Sequence, residues 1–275
     1  MEVRVVLSED PTSVLKRADK FLSSEPVLHN LILSILHSRV AHGDPGRYWI
    51  AFHGDETLGV AVQSPLEYPA TLTPMEPRAV LAIVDAIAEA GVTLPGVHGD
   101  AATAAHFAGQ WSERCKLAAI PFQGMRLYEL LEAAEGPTTE GQLRQAGAVD
   151  RSLMIHWSRA FQNEIGEPHN DVERLVDRGL AAGQLWLWDQ GGETTSMAAH
   201  REPAHGVVRV VGVYTPPEKR MHGYATACVH ALSNHLRRCG YRCILYTDLG
   251  NATSNSIYRR IGYRAVAEAL RYRFE

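Results

Sequence analysis

The feature that most constrains this chain is an order of elements that occurs twice. In residues 1–132 the apolar periods predict a strand at 3–7 and helices at 12–23 and 26–42. Strands follow at 48–53, 57–64 and 70–73, then a helix at 77–90, a strand at 96–98, a helix at 101–114 and an extended stretch at 118–131. Pro26 suits a first helical turn, and Gly91 suits a helix C-terminus. Residues 142–275 repeat the order: a strand at 142–145, helices at 150–164 and 169–182, and strands at 184–189, 194–201 and 206–214. A helix at 223–239, a strand at 242–248, a helix at 254–261 and a strand at 263–273 complete the repeat. Between the halves, 133–141 reads AAEGPTTEG, a composition that predicts a linker. The expected fold is α/β, an α+β mixed sheet flanked by helices. It is built as tandem domains at 1–132 and 142–275 that share order rather than residue identity.

Bulk properties narrow the partners. The chain has 275 residues, of which 45% are hydrophobic, enough for two packed cores. Its formal net charge is -4 and no basic stripe is visible, which argues against nucleic acid as a main partner. An anionic small ligand needs only a local site. Cys115, Cys228, Cys239 and Cys243 form no CxxC pair, and no His pattern has metal-ligand spacing, so free thiols and no metal are expected. The N-terminus carries no signal-peptide pattern, and the apolar run Leu31–Leu36 is interrupted by Ser34 and far too short for a membrane span. The expectation is a cytoplasmic protein without membrane association.

The chemistry concentrates in residues 207–240. Val207, Val208, Val210, Val211 and Val213 form a nearly continuous apolar strand, as expected for one buried on both faces. Pro216 and Pro217 end it, and Arg220-x-x-Gly223-x-Ala225 then opens a helix. The first N–H groups of a helix lack internal partners and the dipole favours an anion there, so this loop suits a phosphate. Gly223 and Ala225 would let a pyrophosphate approach the main chain, and Thr226 would add a hydroxyl. Small residues at this place would equally serve close packing of helix on sheet. A second pattern decides between the two readings: residues 251–263 read NATSNSIYRRIGY and follow the strand at 242–248.

With both patterns in this order, the chain resembles the GNAT superfamily of N-acetyltransferases, closely over 184–273 and by element order back to the linker. The resemblance implies a site for acetyl-CoA or a close acyl-CoA and transfer of the acyl group to an amine on a small molecule or a protein. It implies that the main chain of Val211 and Val213, next to Tyr214, pairs with the pantetheine, with the Val213 N–H at the thioester carbonyl. The loop Arg220, Met221, His222, Gly223, Tyr224, Ala225 and Thr226 would hold the pyrophosphate. Asn251, Ser254 and Asn255 would line the pantetheine arm, and Tyr258 would protonate the departing thiolate. Against that role, Ile257 and Ile261 flank Tyr258 as they would a core aromatic.

Two departures matter. No general base stands out; His200, Glu202 and Asp248 are the candidates, each of a type common on ordinary surfaces. The first half has Thr73-Pro74-Met75-Glu76-Pro77 where the phosphate loop would be, with no glycine pair, so 1–132 reads as a degenerate copy without cofactor binding. The missing base and the inactive first half keep a non-catalytic acyl-CoA sensor open as the alternative. Tyr48-Trp49 and Trp186-Leu187-Trp188 read as core strands.

Overall fold

A computed structural model describes residues 2–132, 136–137, 139–166 and 171–275. Residues 133–135 and 138 of the expected linker, and 169–170 of an expected helix, lie outside the described residues.

The first half supplies β1 (Arg4–Ser8), α1 (Pro11–Ser24), α2 (Asn30–His42), β2 (Arg47–His53), β3 (Glu56–Gln63) and β4 (Ala70–Leu72). It continues with α3 (Pro77–Glu89), β5 (Gly96–Asp100), α4 (Ala101–Cys115) and β6 (Ala119–Leu130). The second half repeats the series as β7 (Gln142–Gln145), α5 (Arg151–Ile165), α6 (Val172–Ala181), β8 (Leu185–Gln190), β9 (Glu193–His200) and β10 (Val207–Tyr214). Then come α7 (Tyr224–Arg238), β11 (Arg242–Asp248), α8 (Ala252–Arg260) and β12 (Tyr263–Phe274). The doubled order is present throughout. One helix start differs: α2 begins at Asn30, and Pro26 lies in the turn before it. Local chemistry sets other starts. Asp10 accepts from the Thr12 and Ser13 amides at 2.9 and 3.1 Å, with Pro11 opening α1, and Asp100 accepts from the Thr103 amide at 2.9 Å.

The compact units are not the segments that the linker suggests. One comprises 1–127, 246–252 and 265–275; the other comprises 128–245 and 253–264. The reason in the first unit is β12, which pairs antiparallel with β5 from Ala269–Asp100 to Arg273–Gly96. The C-terminal strand therefore belongs to the sheet of the first unit, whose order is β1-β2-β3-β4-β5-β12. Trp49, Ala51, Ala61, Val80, Ile83, Phe107 and Trp111 form a core there, between the sheet and α3 and α4.

The second unit has strand order β11-β10-β9-β8-β7. Alternation along β8 divides its side chains between two faces. Trp186 and Trp188 pack with Val208, Val210, Val229, Leu232 and Leu236 beside α7. Leu187 packs with Met154, Trp157, Val176 and Met197 beside α5 and α6. Both tryptophan-containing strands are core, as expected.

Candidate functional site

The site begins with an irregularity in β10. Val210 pairs with His200 and Val211 with Ala199, but the next pair is Tyr214 with Met197. Three steps on β10 thus match two on β9, so one residue is extra. Gly212 is the residue that permits this, with φ +59 in the left-handed region. The bulge reverses side-chain parity. In a regular strand Tyr214 would share a face with Val208 and Val210; instead it joins the α5/α6 core, and Val213 packs on the α7 side. Val207–Val210 are buried, whereas Val211, Gly212 and Val213 are half-buried. The expectation of a strand buried on both faces therefore fails at the bulge, where main-chain groups leave the regular ladder. Parallel pairing of β10 with β11 runs from Val207–Arg242 to Val210–Leu245, short of the bulge.

The loop after β10 is held at four places. The Ser196 hydroxyl bonds the Tyr214 carbonyl at 3.0 Å and the Thr215 hydroxyl at 2.9 Å. Lys219 Nζ donates to Glu193 at 3.0 Å and to the Thr194 carbonyl at 2.9 Å. Arg220 donates to both carboxylate oxygens of Glu164 at 2.6 and 2.8 Å and to the Thr215 carbonyl at 2.9 Å, and its guanidinium lies 5.8 Å from the Tyr214 ring centre. The Tyr224 hydroxyl donates to Gln190 at 2.5 Å. The loop's cations are thus engaged with Glu164 and Glu193, and Arg220 acts on the loop by bracing it. An anion here would meet main-chain N–H groups and the helix dipole rather than a guanidinium.

The start of α7 suits that role. Gly223, at φ +81, occupies the N-cap position, where it makes no side-chain cap. The Ala227 amide is the one that bonds back to the Gly223 carbonyl, at 3.0 Å, so the amides of Tyr224, Ala225 and Thr226 point outward from the first turn. Met221 is also left-handed, at φ +66, and is 98% exposed. His222 stacks on Tyr224 with ring centres 5.5 Å apart. Thr226 is buried. Gly223 has a second reason to be glycine that the sequence did not suggest: a Cβ there would meet Thr139 Oγ1 at 2.6 Å. Thr139 lies in the expected linker, as does Gly141, whose Cβ would meet Trp188 and the Asp189 carbonyl. This end of the linker is packed against the second unit.

On α8, Ser254 is half-buried while Asn255 and Tyr258 are buried. The Tyr258 hydroxyl hydrogen-bonds Ser254 one turn earlier, and burial pushes the phenol up to about 12. The Asn255 side-chain oxygen accepts from the Tyr128 hydroxyl at 2.9 Å. Tyr128 is a residue the sequence reading missed, because it precedes the linker and carries no motif. Asn251 and Asp248 lie in the first unit, where Asp248 shapes its own turn by accepting from the Gly250 amide at 2.7 Å and from Gln123 at 2.8 Å. Asn251 is exposed, and its amide bonds the Asp248 carbonyl at 3.1 Å.

Of the candidate bases, His200 and Glu202 belong to the second unit and Asp248 to the first. His200 pairs with Val210, before the bulge, and burial lowers its pKa; the charged groups that act on it are Glu202 and His235, the latter near the C-terminal end of α7. Glu202 accepts from Gln184 at 3.1 Å. Among the described residues no His, Cys, Asp and Glu group could hold a metal, and no helix is long and apolar enough to cross a membrane.

Known proteins share the fold. Residues 189–272 match the family model of the FR47-like proteins, a stretch that contains the bulge, the loop and α8. No curated protein matches the chain by sequence. Among solved structures, a GNAT-family acetyltransferase from Colwellia psychrerythraea is similar over 100% of both chains, at 12% identity and TM-score 0.62. A GCN5-related N-acetyltransferase from Sphaerobacter thermophilus covers 98% of this chain and 95% of its own, at 14% identity and TM-score 0.63. A Drosophila protein covers 98% of both, at 11% identity and TM-score 0.67. The chain has the GNAT acetyltransferase fold along its whole length.

Proposed function

We propose that the protein is an acyl-CoA-dependent N-acyltransferase that moves an acetyl group from acetyl-CoA to a primary amine by direct attack. The observation that carries this reading is the left-handed bulge at Gly212 leading, through a braced loop, into the uncapped start of α7. That segment offers main-chain N–H groups and little side chain, which is what a long ligand with amides at one end and a pyrophosphate at the other requires. In this reading Val211 and Val213 bind the pantetheine through their main chains. The 220–226 loop takes the pyrophosphate, and Ser254 and Asn255 line the arm.

Acetyl-CoA supplies an activated thioester carbonyl. The chain's part is to orient and to stabilise charge. The Val213 N–H donates to the carbonyl oxygen as negative charge gathers there. Tyr258 keeps its proton at neutral pH, because burial holds it at about 12. That value lies well above the ~8.5 of an ordinary thiol. Complete transfer to the leaving sulfur is therefore uphill, so the phenol donates a hydrogen bond to it: as the C–N bond forms and the C–S bond breaks, the sulfur leaves as thiolate and the nitrogen's extra proton passes to water. Ser254, on the more exposed side of Tyr258, links the phenol to the solvent side of α8. With burial disfavouring a charged His200, the amine is taken up neutral or loses its proton to water. The same fact favours the second reading, a non-catalytic acyl-CoA sensor.

Calorimetry should show one equivalent of acetyl-CoA bound per chain, and a panel of primary amines should release free CoA. Tyr258→Phe should bind acetyl-CoA within about twofold of the parent while kcat falls roughly 100-fold, the lower end for a positioned proton donor. Absence of binding would end both readings, and binding without CoA release across the panel would leave the sensor.

A further inference from the structure

We infer that Glu164 is a positioning residue of the acyl-donor loop, holding Arg220 so that the backbone of 220–226 is set before the ligand arrives; this rests on the acyl-CoA reading above. Glu164 stands in the last turn of α5, where a carboxylate opposes the helix dipole. The turn's other residues are Gln162, Asn163 and Ile165, none of them basic. Its place is therefore unfavourable for the helix that carries it. What it meets is Arg220, whose Nη2 donates to both carboxylate oxygens at 2.6 and 2.8 Å. The same guanidinium donates through Nε to the Thr215 carbonyl at 2.9 Å and lies 5.8 Å from the Tyr214 ring centre. One side chain thus ties the end of α5 to both ends of the turn 215–220 that follows β10.

The backbone beyond that turn needs a hold from outside. Met221 carries a Cβ yet is left-handed at φ +66, and Gly223 follows at φ +81. Met221 is 98% exposed, so its side chain points to solvent. Lys219 is tied to β9 at Glu193 and Thr194, and Glu164 holds the next residue. A reading of the same pair by charge alone points the other way. If Glu164 only competes with the ligand for the guanidinium, removing it would free a cation for the pyrophosphate and tighten binding. A brace predicts weakening, because a loop that samples other shapes binds in proportion to the fraction in the competent one. Both side chains are 43% exposed, so the pair adds little to global stability and its removal acts on the loop.

The test compares wild type, Glu164→Gln, Arg220→Gln and the double variant in the full chain. The double variant removes the pair without changing net charge. Calorimetry reads the acetyl-CoA Kd, CoA release reads kcat and KM, and amide hydrogen exchange reads the loop without ligand. The double variant should raise Kd and KM about threefold, within what an exposed ion pair can supply, with kcat within about twofold. Each single variant should also raise Kd, Arg220→Gln the more because it removes a positive charge as well. Without ligand, the amides of 215–226 should exchange about threefold faster in the double variant, while those of β8 and β9 keep their rates. Should Arg220→Gln fold poorly, the sign of the change in Glu164→Gln decides. Tighter binding by Glu164→Gln, or loop exchange unchanged in the double variant, would overturn the inference. A wild type that binds no acetyl-CoA removes the donor-site reading, and the inference with it. A wild type that binds, with a double variant that binds equally well, removes only the role of Glu164.

Discussion

Gly212 offers a test of the bulge in which the backbone is separable from packing. Its φ is +59, and a Cβ built there would have one neighbour within 4 Å, Ala199 Cβ at 3.9 Å, an ordinary contact. Alanine therefore meets no obstacle, and its effect is conformational. Holding a side-chain-bearing residue left-handed costs about 1–2 kcal/mol, partly offset by the ~0.4–1 kcal/mol that alanine gains by restricting the unfolded chain. The expected net loss for Gly212→Ala is about 1 kcal/mol in urea unfolding. Asparagine tolerates the left-handed region, so Gly212→Asn should recover part of that loss. Gly223 is the contrast: its φ is +81, and its Cβ would also meet Thr139 Oγ1 at 2.6 Å. Gly223→Ala should therefore cost more than Gly212→Ala, and adding Thr139→Ala should return the excess. A neutral Gly212→Ala, or an asparagine no better than alanine, would mean that β10 is not bulged through a left-handed residue. The parity argument for Val213 and Tyr214 would then fall with it.

Two further expectations concern the second unit's core and its edge. Arg144 donates to both oxygens of Asp150 at 2.7 and 2.9 Å, and the Gly147 amide adds a third bond at 2.8 Å, so the arginine above all holds the carboxyl below its ordinary 3.8. A depressed folded value stabilises above the unfolded value and is lost as pH falls through the folded one. Asp150→Asn should thus lower urea stability at pH 7, and the gap to wild type should narrow below about pH 3.8; a gap independent of pH would contradict the pairing. Burial pushes the Cys228 and Cys243 thiols up to about 12, whereas Cys239 is exposed. A thiol reagent at pH 8 should modify Cys239 first and reach Cys228 and Cys243 only on unfolding, and early modification of either would refute their place in the core.

The doubled element order was legible because periodicity reports which face of each strand and helix is buried, and both halves keep their alternation. The loop after β10 was legible for a similar reason: Pro216 and Pro217, then Gly223, punctuate the chain where the backbone changes direction. The bulge was not, since Gly212 within an apolar run reads as a weak strand residue until the partner strand's register is known. The exchange of β12 into the first unit was equally hidden, because pairing with β5 is a long-range choice that local pattern does not encode. Tyr128 escaped for the same reason: its partner, Asn255, lies 127 positions away. Arg220 was legible as a loop residue, whereas its ion pair was not, since only the fold brings Glu164 against it.

The corresponding turn of the first half differs from the loop after β10. At the end of β4, Thr73 stays stitched to β3: its amide bonds the Val60 carbonyl at 3.0 Å, and its hydroxyl accepts from the Val60 amide at 2.9 Å. The Thr73–Val60 contact thus keeps the strand end paired, whereas the β10–β9 register shifts after Val211. Met75 fills the space beside Gly59, where a Cβ would meet its Sδ at 2.9 Å. Pro77 opens α3 and so removes one of the outward amides that an anion would need, while Glu76, paired with Arg78 at 2.8 Å, sets a carboxylate at the helix start. Each change acts on a different requirement: released strand amides, open space, helix-start donors and local charge. Restoring one by mutation should therefore not restore binding. The proposed stoichiometry of one acetyl-CoA per chain accords with that, since a proline and a carboxylate at the helix start both weaken a seat for a pyrophosphate.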